Sequence, residues 1–185
     1  SLKYLIPDSR DSAIFKNQTI QKSDNPFYFK PYQVNPAYAA LKQKIDTSLI
    51  DSKTSAFIVI KNDSIIYQYL SEGTSILNKQ ASFSMAKSFV GTLIGIASDK
   101  GLIGSTNDLV IKYLPELEKN DPRFQRLTIQ HVLDMRSGFD FNERAFNPFS
   151  KITHMYYGAD LEKIVRHIMM KREPNTAFEY QSINT

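Results

Sequence analysis

Apolar residues first recur at helical spacing at Tyr38, Leu41, Ile45 and Leu49. They follow Asn35-Pro36, an N-cap residue and then proline at the first helical position, so an amphipathic helix is predicted over 36–49. The pattern then changes. Ala56-Phe57-Ile58-Val59-Ile60 and Ile65-Ile66-Tyr67-Gln68-Tyr69-Leu70 are rich in β-branched and aromatic residues and flank Asn62-Asp63, a turn pair, which predicts an antiparallel hairpin. From Ser84 to about Lys100, Met85, Phe89, Leu93, Ile96 and Ala97 mark a broad apolar face, and Gly101 supplies the C-cap. This reads as a buried helix. Beyond it the pattern is mainly helical: Asn107 or Asp108 into Tyr113, Thr128 as N-cap of a helix through Met135 that stops at Ser137-Gly138, and 160–171 with Leu161, Ile164, Val165 and Ile168 on one side.

The order of elements points to an α+β chain, an antiparallel hairpin beside a helical lobe, with no internal repeat. Three segments are expected: 1–53, an N-terminal arm and the first helix; 54–72, the hairpin; and 73–185, the long apolar helix with the helical lobe. Within the first, 1–29 is polar, aromatic and proline-punctuated without a period, and is expected to be extended.

Composition narrows the functional classes. With 42% hydrophobic and 23% charged residues in 185, the chain has enough apolar content for a core. Its formal charge of +4 is spread along the sequence with no basic run beside aromatics, so no nucleic-acid partner is expected. Cysteine is absent, which removes disulfides, cysteine zinc sites and thiol nucleophiles. The longest apolar stretch, 89–97, contains two glycines and a threonine and is too short to span a membrane. Residues 1–6 do not form the apolar region of a signal peptide.

Ser84-Met85-Ala86-Lys87 sets a hydroxyl and an amine three residues apart on one helix face, with Cβ atoms about 5–6 Å apart. Serine becomes a good nucleophile when a neighbouring base takes its proton, and the first turn of a helix favours developing negative charge. The row continuing from Lys87 through Gly91 and Gly95, with Val90 and Ile94 beside it, suggests close packing around the lysine. On spacing alone an ordinary N-cap serine and a solvated lysine remain an alternative. No Gly-x-Ser-x-Gly elbow or His-Glu-x-x-His pattern occurs, and His131, His154 and His167 read as packing or surface residues. Asp63, Asp108 and Asp140 lack calcium-loop spacing, and acyl transfer by an activated serine needs no metal or organic cofactor.

Phe83-Ser84-Met85-Ala86-Lys87-Ser88-Phe89, followed in order by Gly101-Leu102-Ile103, Tyr113-Leu114-Pro115-Glu116, 127–133 and Ser137-Gly138-Phe139, resembles the class C β-lactamase family. That family includes esterase, D-aminopeptidase and nylon-oligomer-hydrolase relatives, and Ser-x-x-Lys is its nucleophile motif, shared with penicillin-binding proteins. The resemblance extends from about Ala56 to Thr185 and implies a β-lactamase/transpeptidase-like fold. A second family motif, Pro-Gly-x-x-Phe-x-Tyr-x-x-x-Asn, is matched by Pro174, Phe178, Tyr180 and Asn184.

The resemblance implies that Ser84 is acylated, that Lys87 or Tyr180 takes its proton, and that Tyr180 protonates the leaving group. Asn175 stands where glycine is usual, and Ser182, the implied substrate-binding position, stands where class C β-lactamases have asparagine. The latter favours an esterase or amidase over a β-lactamase. The family's third motif, on a strand bordering the site, is expected beyond Thr185, so the chain reads as the N-terminal part of a longer enzyme. A C-terminal remainder or an oligomer would then complete the sheet. The reading is a serine hydrolase acting through an acyl-enzyme on an ester, amide or β-lactam carbonyl of a small-molecule or peptide-like substrate. A catalytically silent penicillin-binding-like sensor is the alternative. The compartment stays open, although the resemblance points toward the bacterial cell envelope.

Overall fold

A computed structural model describes residues 11, 14–16, 18–31, 35–143, 149–158 and 160–185. The chain divides into two compact units, Ser12–Gln80 and a second that joins the N-terminal residues to Asp11 with Ala81–Thr185.

In the first unit the predicted helix begins as a short 3-10 turn, Pro36–Tyr38, whose N-cap Asn35 accepts from the N–H of Ala37. It continues as α1, Ala39–Asp51. The hairpin consists of β1, Ala56–Lys61, and β2, Ser64–Leu70, paired antiparallel with an irregularity between Val59 and Ile60. Asn62 and Asp63 both have positive φ, 50° and 57°, as the right-twisting two-residue turn requires. Tyr67, buried on β2, donates to Asp46 of α1, and Lys42 one turn back pairs with the same carboxylate. The bond from Lys42, followed by that from Tyr67, lowers the Asp46 pKa. Of the predicted extended arm, 1–10, 12, 13 and 17 lie outside the described residues. Of its described residues, Asp11 lies in 3-10 geometry, 14–16 and 18–29 carry no helix or strand, and Lys30 then forms a parallel bridge to Ser64.

The second unit opens with a 3-10 turn, Phe83–Met85, running into α2, Ala86–Asp99. Gly101 ends this helix in the left-handed region at φ 70°. The core lies further on, where Leu117, Phe124, Leu127, Phe139, Ile168 and Met170 form one buried cluster. It is assembled from short pieces: 3-10 turns at Val110–Lys112, Pro115–Leu117 and Pro122–Arg126, and the helix α3, Ile129–Leu133. Thr128 and His131 close a capping box on α3, with the histidine ring accepting from the Thr128 N–H where Glu or Gln is usual.

Two expectations are corrected. The predicted helix over 160–171 is only α5, Leu161–Arg166. Residues 168–171 leave helical geometry because backbone pairing competes for them: Asp140 N–H donates to Met169 O, and Lys171 N–H to Gly138 O. Asn120 takes the carbonyls of Arg166 and Ile168. Second, α2 is not a buried helix: Phe89 is 63% and Leu93 61% exposed, and no residue of α2 is buried. Hydrophobic periodicity marks the face that gains from burial; the described residues leave that face uncovered.

An additional helix, α4, Lys151–Tyr157, was not predicted. Ser150 caps it by accepting from Thr153 N–H.

Candidate active site

Ser84 sits in the 3-10 turn that opens α2, immediately after Phe83, whose φ is 45°. Positive φ is unusual for a bulky residue and places backbone strain directly before the serine. The Phe83 ring is held by stacking on Tyr156 of α4, with centroids 6.2 Å apart and planes 15° from parallel. Tyr156 in turn meets Tyr157 edge to face at 4.8 Å, and Tyr157 donates to Asp11. Burial, and then the nearby charge of Asp11, raise the pKa of Tyr156. That phenol is a packing element.

Three of the sequence-predicted residues converge. Tyr180 Oη donates to Ser84 Oγ at 2.7 Å, and Lys87 Nζ approaches the same oxygen at 3.5 Å. The ammonium also lies 5.2 Å from the centroid of the Tyr180 ring, within cation–π range. The serine hydroxyl is thus flanked by two groups able to exchange protons with it. Ser84 and Tyr180 are solvent-exposed, as an incoming substrate requires. The surroundings of Lys87 differ from the expectation of tight packing. Nothing approaches within 4 Å of a Cβ built on Gly91 or Gly95, and the lysine is half-buried against the tyrosine ring rather than sealed in the apolar row.

Tyr180 is brought there by a segment tied down at both sides. Asn175, where glycine is usual, adopts φ 63°; its N–H donates to Arg136 O, and its side chain accepts from Arg136 Nε at 2.8 Å. Asparagine enters the left-handed region with local hydrogen bonding, which explains the exchange. The Glu179 N–H donates to Met135 O. Gln181, 3% exposed, donates through its amide to Phe139 O at 3.3 Å and Phe141 O at 2.7 Å. Ser182 donates its N–H and its hydroxyl to the Glu143 carboxylate. Asn184 is buried with neither amide atom paired among the described residues.

Sequence reasoning missed Gln181, Glu143 and the Phe83–Tyr156 stack. Gln181 had a usable signal, since an extended segment that exposes Tyr180 must turn its neighbour inward. Glu143 lies 39 residues away and had none.

Among the described residues there is no group of three His, Cys, Asp or Glu placed to hold a metal, and no helix is long and apolar enough to cross a membrane. His154 and His167 are exposed.

The family model for beta-lactamase matches residues 79–185, the stretch that carries Ser84, Lys87 and Tyr180. The chain belongs to the beta-lactamase family. A relative of this beta-lactamase-family chain, the 6-aminohexanoate-dimer hydrolase of Paenarthrobacter ureafaciens, is 29% identical over 119 residues, 64% of this chain and 30% of the relative. A solved structure named "Putative 6-aminohexanoate-dimer hydrolase from Bacillus anthracis" superposes with a TM-score of 0.65 at 18% identity, covering 86% of this chain and 46% of that one. The chain therefore has the α+β beta-lactamase fold, and it spans less than half the length of these relatives.

Proposed function

We propose that this chain carries the nucleophile side of a serine hydrolase, with Ser84 forming an acyl-enzyme. The observation that supports it best is the pair of contacts on one oxygen, Tyr180 at 2.7 Å and Lys87 at 3.5 Å. Whichever of the two is in its basic form takes the Ser84 proton as Oγ attacks the carbonyl. The Ser84 N–H, in the first helical turn, lies outside the helix's own bonding and is available to the oxyanion. Tyr180, the closer group, protonates the leaving atom as the carbonyl–leaving-group bond breaks, with the proton it took from Ser84 or, where Lys87 took that one, with its own, which Lys87 then replaces. Water then attacks the acyl carbon, releasing the acid and restoring Ser84.

The substrate class that accords with the relatives' names is a linear amide, the 6-aminohexanoate dimer being one. The intact protein should hydrolyse a chromogenic ester and the 6-aminohexanoate dimer with sustained turnover. A single stoichiometric burst with no further product would refute the hydrolase and leave the silent sensor.

A further inference from the structure

We propose that Tyr156 is a positioning residue for the nucleophile: by stacking on Phe83 it holds that residue in its left-handed conformation and so fixes Ser84 against the Tyr180 hydroxyl. The proposal rests on the serine-hydrolase reading above and adds to it a side chain that acts without touching the reacting atoms.

Phe83 has φ 45°, whereas Ser82, Met85 and Ala86 around it are right-handed at −76°, −59° and −53°. The reversal is confined to the residue that leads into Ser84. A phenylalanine there clashes through its Cβ, and such a conformation persists only where the surroundings impose it. The turn's own hydrogen bond, Met85 N–H to Ser82 O at 3.1 Å, does not impose it, because a turn with negative φ closes the same bond. Relaxing to the ordinary helical value is a rotation of roughly 100° about one bond, which would turn the preceding chain and the Phe83 ring relative to Ser84.

The ring supplies what the turn lacks. Its stack on Tyr156, 6.2 Å between centroids with planes 15° apart, is an offset aromatic pair, and such a pair contributes on the same scale as one left-handed residue costs. Tyr156 is itself firmly based. Its helix α4 buries Ile152 and Thr153, and Lys151 donates to Asp140 O at 2.8 Å. Tyr157 packs edge to face on Tyr156 and donates to the buried Asp11 at 2.9 Å. The clamp bears unequally on the two partners of Ser84. Lys87 rides on the helix that the serine opens and moves with it, whereas Tyr180 arrives from 96 residues away. Loosening Phe83 therefore disturbs the 2.7 Å contact to Tyr180 more than the approach of Lys87. The step that suffers most is protonation of the leaving group.

Two esters of one acid test this on the intact protein, a nitrophenyl ester whose leaving group needs no proton and an alkyl ester whose leaving group does. Tyr156→Leu should lower kcat/KM for the alkyl ester by about tenfold or more and for the nitrophenyl ester several times less. Tyr156→Phe keeps the stack and should hold both within about threefold. An equal loss for both esters, the mark of a smaller folded fraction, overturns the proposal, as does a loss in Tyr156→Phe matching that in Tyr156→Leu. In Phe83→Gly the left-handed φ carries no Cβ cost, so adding Tyr156→Leu should change the alkyl-ester rate by less than about twofold. A full further loss there shows that Tyr156 does not act through Phe83. Hydrogen exchange read by mass spectrometry separates the clamp from the chemistry at Ser84. Faster exchange over 82–89 in Tyr156→Leu, with 117–127 unchanged, supports the clamp even if Ser84 is never acylated, and unchanged exchange over 82–89 refutes it.

Discussion

Replacing Gln181 with leucine should weaken both the fold and the chemistry, and the size of each effect follows from its contacts. The side chain is 3% exposed and its amide donates to Phe139 O and Phe141 O, so the segment bearing Tyr180 is fastened to residues 139–141 through one nitrogen. Each intramolecular hydrogen bond contributes about 1 kcal/mol net, and a buried carbonyl left without a partner costs about 1–3 kcal/mol. Leucine nearly matches the volume and recovers roughly 1 kcal/mol through its greater apolar burial, which leaves a net loss of about 2 kcal/mol. The denaturant midpoint of the intact protein should fall accordingly, at unchanged slope. The acylation rate should fall further than stability alone explains, because a displacement of about 1 Å in a catalytic group costs on the order of 10²-fold. Gln181→Glu should be worse, since a carboxylate turns acceptors toward two carbonyl oxygens. Unchanged midpoint and unchanged acylation in Gln181→Leu would refute the view that this amide positions Tyr180.

Lys87→Ala should lower acylation by roughly 10²–10⁴-fold, read by stopped-flow acyl-enzyme formation, and Lys87→Arg should not restore it because guanidinium cannot accept a proton. Gly138 has φ 81°, and a Cβ there would sit 2.6 Å from the carbonyl oxygen of Arg172, so Gly138→Ala should destabilise by more than the roughly 1–2 kcal/mol of the left-handed backbone alone, seen in thermal melting. Phe124, fully buried against Phe139 at 6.1 Å between centroids, should cost about 3–5 kcal/mol when replaced by alanine, checked by chemical denaturation. Asp121 is held to a pKa of about 2, chiefly by its bonds from Arg123, against an ordinary 3.8. A lowered carboxylate pKa stabilises the fold above pH 4, and that contribution is lost as pH falls from about 4 to 2. Asp121→Asn should therefore be less stable at neutral pH and show a shallower acid slope in that window.

Local chemistry carried most of what could be read in advance. Asn62-Asp63, Asn35-Pro36 and Gly101 each announce a backbone conformation that few other residues adopt, and the hairpin and two helix ends sit where those residues put them. Ser84 and Lys87 were legible because three-residue spacing on a helix is a local fact; that Tyr180 meets them across 96 positions came only through the family motif. The failures are non-local. Helical spacing over 160–171 was outcompeted by backbone pairing with 138–140, a partner invisible from within the segment. The apolar face of α2 was read correctly as apolar, but what covers a face is not encoded in its own period. Glu143 gave no signal because an isolated glutamate looks solvated until the chain folds Ser182 onto it.

The central claim is that Ser84 is acylated, and peptide mass spectrometry of the intact protein quenched during turnover of an activated ester tests it most directly. The account predicts an acyl increment on the peptide carrying Ser84, localised to that residue, and its loss in Ser84→Ala together with turnover. An adduct on Ser82 or Ser88, or one that persists in Ser84→Ala, would contradict it.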